Sequence, residues 1–550
     1  MKVYQRLAQA FKGEGATATF GMMGDGNMYW LTELHKIGGV KVHEVRHEGA
    51  GLGMADGYAR TKQEPGIATA TCGPGVSQLA TAFVTAARAH SPIVAFCGEY
   101  PLTDPEYTQY LDQSRFAEAC EAGFVRLLNP DQTDEVVRKA FYLAKTERRP
   151  IMLSCPMDVQ QKNFDDDEPY RPTTDFYNPG KVQPNPAQLE RAADLIASAK
   201  HPVIVVGRGA QWAGAGPAVL KLGERIGALI ATSLLAKTFL SECEYHAGIS
   251  GLYASRPAIK LLEEADVVIG VGATLNRHTI ENGYLYPDAK FIQIDTQPHL
   301  AMATGKFADI YIHSDARIAV EELEKMLADR SHKALGYRTP DVKAKLTNHN
   351  ADRTEFPIDP NTVDPRESML ILDELLPPNI GLLSGSGMTS GISNMMMTRR
   401  RTIMQAGHFF GCIGQMLPAA MGAVVASDYT PLCLIDGDAS YMMHLAEFET
   451  AVRYKMPLLV TVMNNECLGA EYYKLDAKKM DSSTSVIPTP NLGAVAVAMG
   501  GRGCQVTHND QLRAAVKEWV ANPGPMVIDV RVSRTVPSIP YRRVHYGRDE

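Results

Sequence analysis

Residues 434–473 read LIDGDASYMMHLAEFETAVRYKMPLLVTVMNNECLGAEYY. An apolar run closes on Gly437-Asp438-Ala439-Ser440, a helical pattern follows, and a second apolar run, PLLVTVM, closes on Asn464-Asn465. Strand, helix, strand in that order predicts a βαβ unit, whose strands run parallel and whose carboxyl ends therefore align. Asp438 and Asn465, 27 positions apart, are then expected side by side. A carboxylate, an amide oxygen and a nearby main-chain carbonyl suit Mg²⁺, while turn amides from Gly437 to Ser440 at the start of a helix suit a diphosphate. The plainer reading of the same residues is a turn aspartate and a strand-end pair of asparagines.

The same alternation recurs on both sides. Upstream, KVHEVR precedes GLGMADGYART, PGIATATC precedes SQLATAFVTAARA, and SPIVAFCG follows. Farther on come HPVIVVGRGA, ADVVIGVGA and AKFIQIDTQP, then NIGLLSGSG and, at the end, GPMVIDVRV. Strands alternating with helical patterns predict α/β layers with mainly parallel sheets. At 550 residues the chain is too long for one core. The polar stretch 163–186, NFDDDEPYRPTTDFYNPGKVQPNP, and another polar segment near 330–365 divide it. We expect an N-terminal domain over 1–165, a central domain over 185–330, a C-terminal domain over 365–535, and a Pro- and Arg-containing tail over 536–550.

Composition narrows the function classes. Hydrophobic residues at 45% and charged residues at 21% exclude a disordered or collagen-like chain. A net charge of -7 without a Lys/Arg run argues against nucleic acid and a membrane surface as partners. Nine scattered cysteines without a C-x-x-C pair point to a reducing cytoplasmic setting rather than to disulfides or a cysteine zinc site. The opening MKVYQRLAQAFKGEGA reads as an amphipathic helix, not a signal peptide. The most apolar stretch, 404–426, carries Gln405, Gln415, Pro418 and several glycines, and is expected to be a buried loop and helix rather than a membrane span.

Two motifs are set aside. His43-Glu44-Val45-Arg46-His47 matches the zinc-protease pattern H-E-x-x-H, which needs a helix to bring both histidines to one metal. The preceding residues alternate like a strand, where four residues span about 13 Å. Gly207-Arg208-Gly209 follows an apolar strand, but a G-x-G without its third glycine fits a tight turn as well as half of a nucleotide site, and Asp295 is as well explained by a strand-end turn.

Five segments in order carry a resemblance to thiamine diphosphate enzymes of the acetolactate synthase, pyruvate decarboxylase and benzoylformate decarboxylase kind. The stretch quoted first resembles their Gly-Asp-Gly…Asn-Asn signature, with Ala439 for the second glycine. EVRHEGAGLGMADGYAR (44–60) resembles the segment of the cofactor-activating glutamate, which falls on Glu48. FGMMGDGN (20–27) resembles the FGxPG turn with Met23 for proline, and TATCGPGVSQ (69–78) resembles TSGPGxxN with Gln78 for asparagine. GCIGQMLPAAMGA (411–423) resembles the segment that holds the cofactor bent, and SGSGMTSG (384–391) stands where relatives contact the diphosphate.

The resemblance implies three Rossmann-like, doubly wound α/β domains: pyrimidine-binding, middle and diphosphate-binding. It implies thiamine diphosphate and Mg²⁺ as cofactors, with Asp438, Asn465 and the carbonyl of Cys467 as metal ligands. Gly387, Met388, Gly437, Asp438, Ala439, Ser440 and Asn465 would surround the diphosphate, with Ile413 as the apolar wedge and the Gly411 carbonyl as acceptor for the exocyclic amine. A carboxyl at Glu48 bonded to a ring nitrogen favours the imino tautomer that activates the cofactor. FAD or ADP in the middle domain stays open.

The implied chemistry is cleavage or formation of a carbon–carbon bond beside a carbonyl. A small 2-oxo acid loses CO₂, and the enamine is protonated or captured by an acceptor. Asp25 and Glu471 match the positions of the acids of pyruvate decarboxylases, although the adjacent His-His pair is absent from PEYTQYLDQSRF (105–116). Gln109 resembles the Phe-Gln segment of acetolactate synthase-like carboligases, yet Lys474 stands where those carry tryptophan. Other donors, acyl-CoA or a cyclic diketone, and a catalytically silent cofactor-binding paralogue stay open. Each site is expected between two subunits of a homodimer or homotetramer.

Overall fold

The computed structural model describes residues 1–547 except 167, 178–179, 298–306, 334–335, 348–351 and 408. Among the described residues the strands form three six-stranded sheets in which every pairing is parallel. The N-terminal sheet holds β1 (Ala18–Gly21), β2 (Lys41–Glu44), β3 (Gly66–Ala70), β4 (Ile93–Glu99), β5 (Gly123–Arg126) and β6 (Pro150–Pro156) in the order β2-β1-β3-β4-β6-β5. The middle sheet holds β7 (Pro202–Val206), β8 (Leu229–Thr232), β9 (His246–Ile249), β10 (Val267–Val271), β11 (Lys290–Asp295) and β12 (Ile310–His313), in the order β12-β11-β10-β7-β8-β9. The C-terminal sheet holds β13 (Gly381–Ser384), β14 (Met404–Ala406), β15 (Leu432–Gly437), β16 (Leu458–Asn464), β17 (Arg502–Val506) and β18 (Met526–Arg531), in the order β14-β13-β15-β16-β18-β17. With helices between most successive strands, these are the three Rossmann-like α/β domains expected from the alternating pattern.

The winding of the three sheets reverses between β1 and β3, between β7 and β10, and between β13 and β15. Open parallel sheets bind ligands outside the carboxyl ends of their strands at such a reversal, because the two flanking loops diverge and leave a crevice. The reversals therefore say where to look before any side chain is considered. They point to the loops after Gly21 and Ala70, after Val206 and Val271, and after Ser384 and Gly437.

Seven helices matter here: α1 (Val3–Gly13), α2 (Glu48–Lys62), α3 (Met388–Met396), α4 (Met416–Ala426), α5 (Asp438–Met443), α6 (Gly469–Ala477) and α7 (Ile539–Tyr546). The apolar stretch 404–426 folds as β14, a loop and α4. Its first residues are thus a strand rather than a loop, because Met404 to Ala406 pair with Leu382 to Ser384. No helix among the described residues is long and apolar enough to cross a membrane.

Helices α2 and α4 join the outer domains in one shared core with Leu52, Met54, Leu417 and Met421. Both are rich in small residues, and the reason is contact distance. A Cβ at Gly57 would stand 1.9 Å from the Ala419 carbonyl oxygen, and one at Gly422 would stand 1.9 Å from that of Met54. Glycine costs a helix about 1 kcal/mol against alanine, and close approach to α4 is what Gly53 and Gly57 provide, while Gly51 makes room for β1.

The connecting segments are ordered where they are described. Glu14, just past α1, accepts from Tyr170 Oη at 2.7 Å and from the Thr173 amide and hydroxyl at 2.7 and 2.8 Å, which fastens the first linker to the N-terminal domain. The tail carries α7, whose buried Arg542 meets Asp352 of the second polar segment at 2.7 Å. Asp352 also meets Arg366 at 3.2 Å.

Candidate active site

The C-terminal crevice is built by three helix starts. Gly387 precedes α3 with φ 78°, Gly437 precedes α5, and Gly469 opens α6. They converge: a Cβ on Gly437 would stand 3.5 Å from Thr389 Oγ1, and one on Gly469 would stand 3.3 Å from Met388 Cβ and 3.0 Å from Asn465 Nδ2. Around Gly387 and Gly411, both at positive φ, nothing lies within 4 Å of an added Cβ. Amide-bearing helix starts that face open space form an anion cradle.

Asp438 is the first residue of α5 and is 3% exposed. Burial pushes its carboxyl up to about 7, against the pull of the Asp438 and Ala439 amides and of Arg531. Arg531 is itself taken by Glu466 at 2.6 Å. Asn465 is buried, with Oδ1 receiving the Cys467 amide at 3.2 Å. Cys467 is close enough to Asp438 for that carboxylate to add to the burial that lifts its thiol to about 12. Asn464 is locked away from the crevice by Thr489 and Asp529, so of the Asn-Asn pair only the second faces it. Glu466, next after the pair, adopts φ 53°, a left-handed kink that a non-glycine residue keeps only when its surroundings enforce it. Here two arginines, Arg531 and Arg534, hold its carboxylate.

A buried carboxylate whose only nearby arginine is engaged elsewhere, beside an amide oxygen and main-chain carbonyls, is a donor set that could hold a hard divalent cation. Only two side chains contribute. Among the described residues no cluster of three His, Cys, Asp or Glu side chains forms a metal site, so the other positions would fall to main-chain oxygen, ligand and water.

Two features were not singled out from sequence. Asp436, fully buried at the end of β15, receives Ser440 Oγ at 2.7 Å and the Gly437 amide at 3.0 Å. Ser440 in turn receives the Gly414 amide at 2.8 Å, so Asp436 fixes both the α5 turn and the loop before α4. A Cβ at Gly385 would stand 2.1 Å from Asp436 Oδ1. The signal was an acid inside an apolar strand. The second is His444 at the end of α5, whose ring lies 5.4 Å from that of His47 and which burial, then His47, lowers to about 4. Nothing in the spacing announces that contact between domains.

Ile413 and Gly411 stand on the loop between β14 and α4. Bulk alone would put Ile413 in the core, but it is half-buried and Gly411 is exposed. Glu471 and Lys474 pair at 3.2 Å on an exposed face of α6. α7 packs on this helix, with the Tyr541 and Tyr473 rings 6.0 Å apart.

The N-terminal crevice gathers a second group. Asp25 lies in the loop after β1 and receives Tyr107 Oη at 3.4 Å; Gly26 donates to Thr71 Oγ1 at 3.0 Å. Cys72 donates to Gln109 Oε1 at 3.2 Å. Glu48 opens α2, half-buried, with Oε1 3.4 Å from where a Cβ on Gly75 would stand; the same position is 2.8 Å from Thr71 Cγ2. Asp25, Glu48, Thr71 and Gln109 thus share one crevice. Among the described residues no hydrogen bond or ion pair links this group to Asp438, Asn465 or Glu471.

The motifs set aside behave as structural residues. His43 sits on β2 between Phe20 and Tyr454, buried, and burial lowers it to about 4. His47 caps α2 by accepting the Gly49 amide at 3.0 Å. In the middle domain the Gly207 turn packs onto its neighbour: a Cβ at Gly207 would stand 2.0 Å from the Gly272 carbonyl oxygen, which receives the Gly209 amide at 3.0 Å. Asp295 accepts the Gln297 amide at 3.1 Å, and the residues from 298 lie outside those described.

Three family models match the chain in order. These are the thiamine pyrophosphate enzyme N-terminal TPP binding domain over residues 1–116, the central domain over 189–323 and the C-terminal TPP binding domain over 385–530. A probable acetolactate synthase large subunit of Methanocaldococcus jannaschii is 27% identical, over 98% of this chain and 94% of its own. Acetolactate synthase isozyme 3 large subunit of Escherichia coli is 27% identical over 99% and 97%. A sulfoacetaldehyde acetyltransferase of Alcaligenes xylosoxydans xylosoxydans is 27% identical over 96% and 92%. With its domains matched in family order and its relatives matched end to end, the chain belongs to the thiamine pyrophosphate enzymes.

Proposed function

We propose that this chain is a magnesium- and thiamine diphosphate-dependent enzyme that breaks or forms the carbon–carbon bond beside the carbonyl of a small 2-oxo acid. The observation that carries this reading is Asp438, a buried carboxylate that forms no ion pair among the described residues, at the meeting point of three helix starts. Asp438, Asn465 and the Cys467 carbonyl would hold Mg²⁺. The turn amides at Gly387, Met388, Gly437, Ala439 and Ser440 would hold the diphosphate. Ile413 and the Gly411 carbonyl would orient the aminopyrimidine. Bound thiamine diphosphate supplies an acidic thiazolium carbon and an electron sink.

The chain's own residues then handle protons. Glu48 shares a proton, through its carboxyl oxygen, with a pyrimidine ring nitrogen. Asp25 and Glu471 are the proton donors to substrate, and Gln109 orients it. On this reading Glu48 and Asp438 of one site come from two subunits of a homodimer or a dimer of dimers. Apolar side chains exposed beside each crevice, Met23, Leu102 and Tyr110 on one and Phe410, Met442 and Met443 on the other, support this. We read the middle domain as carrying neither FAD nor ADP, since its Gly207 turn is already packed on Gly272; an absorbance band near 450 nm in the pure protein would overturn that. Nine free thiols fit a cytoplasmic setting.

Within this reading, carboligation has specific support in Gln109, which accepts from Cys72 in the N-terminal crevice. The relatives named acetolactate synthase agree with it. The test is incubation with thiamine diphosphate, magnesium and a panel of 2-oxo acids, with CO₂ and products followed by mass spectrometry. A 2-hydroxyketone or acetohydroxy acid supports carboligation, and aldehyde alone makes the enzyme a decarboxylase. No turnover of any donor sinks the 2-oxo acid reading.

A further inference from the structure

Where the three domains meet, a cavity of about 160 Å³ is lined by Arg60, Arg208, Trp212, Gln405 and Phe409 among others. Arg60 comes from α2 in the N-terminal domain, Arg208 and Trp212 from the helix after β7, and Phe409 from the loop that leads to Gly411. The guanidiniums and rings form a ladder. Arg148 lies 4.1 Å and Arg208 4.2 Å from the centre of Trp212, while Arg208 and Arg60 lie 5.1 and 5.0 Å from that of Phe409.

Charge is unbalanced in this ladder. Asp56 meets Arg60 Nη2 at 2.6 Å, and Arg208 spends one nitrogen on the Ala89 carbonyl at 2.7 Å. Nε and Nη1 of Arg60, and Nε and Nη2 of Arg148, are buried with no hydrogen-bond partner among the described residues. The Arg60 side chain is 3% exposed. Burial, with Arg60 and Arg148 nearby, pulls Arg208 down to about 9. Buried donors without acceptors are rare in native proteins; the two on Arg60 belong to the lining of this cavity, where an anion would satisfy them, and Arg148 adds positive charge from behind Trp212.

We infer that this junction binds a small, doubly charged tetrahedral oxyanion of the phosphate class. In-plane guanidinium donors match phosphate oxygens bidentately. Trp212 and Phe409 each already carry two guanidiniums, which leaves no ring for a nucleobase, so the ligand is free phosphate rather than a nucleotide. Phe409 stands two residues before Gly411, so occupancy stiffens the loop that carries Gly411 and Ile413.

The test is thermal unfolding of the full chain with thiamine diphosphate and magnesium present, so that phosphate is kept from the cradle around Gly387. Inorganic phosphate is titrated against chloride at equal ionic strength, with ADP as a third arm. The expected result is a saturable rise of roughly 3 °C with phosphate alone. Gln405→Glu, which puts a carboxylate into the cavity, should raise the melting temperature by itself and abolish the phosphate response. Arg148→Gln, which removes a positive charge stacked on Trp212 outside the cavity lining, should weaken the apparent phosphate affinity roughly threefold through the lost field. A phosphate shift no larger than that with chloride overturns the inference. So does an unchanged response in both variants, or stabilisation by ADP where phosphate gives none. The readout is independent of turnover, so it stands or falls apart from the 2-oxo acid reading.

Discussion

Asp436 and Asp438 stand two residues apart at the end of β15, and burial raises both to about 7. A carboxyl whose folded value lies above its ordinary 3.8 binds more protons folded than unfolded between those two values. Stability of the cofactor-free protein should therefore fall as pH rises from about 4 to about 7 and level off above. A cation on Asp438 removes the cost of its charge, so Mg²⁺ with thiamine diphosphate should raise the melting temperature more at pH 8 than at pH 5. Melting curves at both values, with and without the cofactors, check this; an equal shift at the two would speak against Asp438 as a ligand. At the same scale, Glu48→Gln should lower turnover by roughly 10²–10⁴ while leaving thiamine diphosphate binding, measured by calorimetry, close to unchanged. Loss of binding in that variant would make Glu48 a structural residue.

Helices α2 and α4 set the distance between the outer domains through backbone contact. Gly57 and Gly422 leave no room for a methyl group, and the neighbour of each is a main-chain carbonyl of the other helix. Gly57→Ala should cost about 1–3 kcal/mol although alanine is the better helix former. Chemical denaturation should show the loss, whereas Gly214→Ala, where nothing lies within 4 Å but φ is 67°, should cost no more than its backbone strain. A neutral Gly57→Ala would mean that the two helices slide apart freely. The N-terminal end of α2 carries Glu48, so the packing that fixes α2 also fixes the candidate acid.

On the scale of the whole molecule, the proposal that Glu48 and Asp438 of one site belong to different subunits predicts complementation. Glu48→Gln and Asp438→Asn should each be inactive alone. If sites lie between subunits of a dimer, random exchange of the two variants makes half of the dimers mixed, each with one intact site, and recovers about a quarter of full activity. Mixing after mild dissociation and assaying the recovered rate checks this, and no recovery would place Glu48 and Asp438 of one chain in the same site.

Three parallel α/β domains and the places of Asp438 and Asn465 at strand ends were legible because strand–helix alternation and turn residues are local: each is written within some forty residues, and parallel pairing aligns strand ends without further information, whereas Glu48 stood out only by its resemblance to a family segment. The reach of β14, the helix inside the tail and the role of Asp436 were not legible, since each depends on a partner far away in sequence. The tail became a helix held by Arg542 on Asp352, and an apolar run became an edge strand because β13 was beside it. The chain by itself thus determined which turns carry carboxylates, amides and glycines. Only tertiary structure decided which of these share a crevice, that Asn464 is tied off while Asn465 is not, and that arginines from two domains meet without enough carboxylates between them. Burial and long-range contact are properties of the packed molecule, and no stretch of sequence contains them.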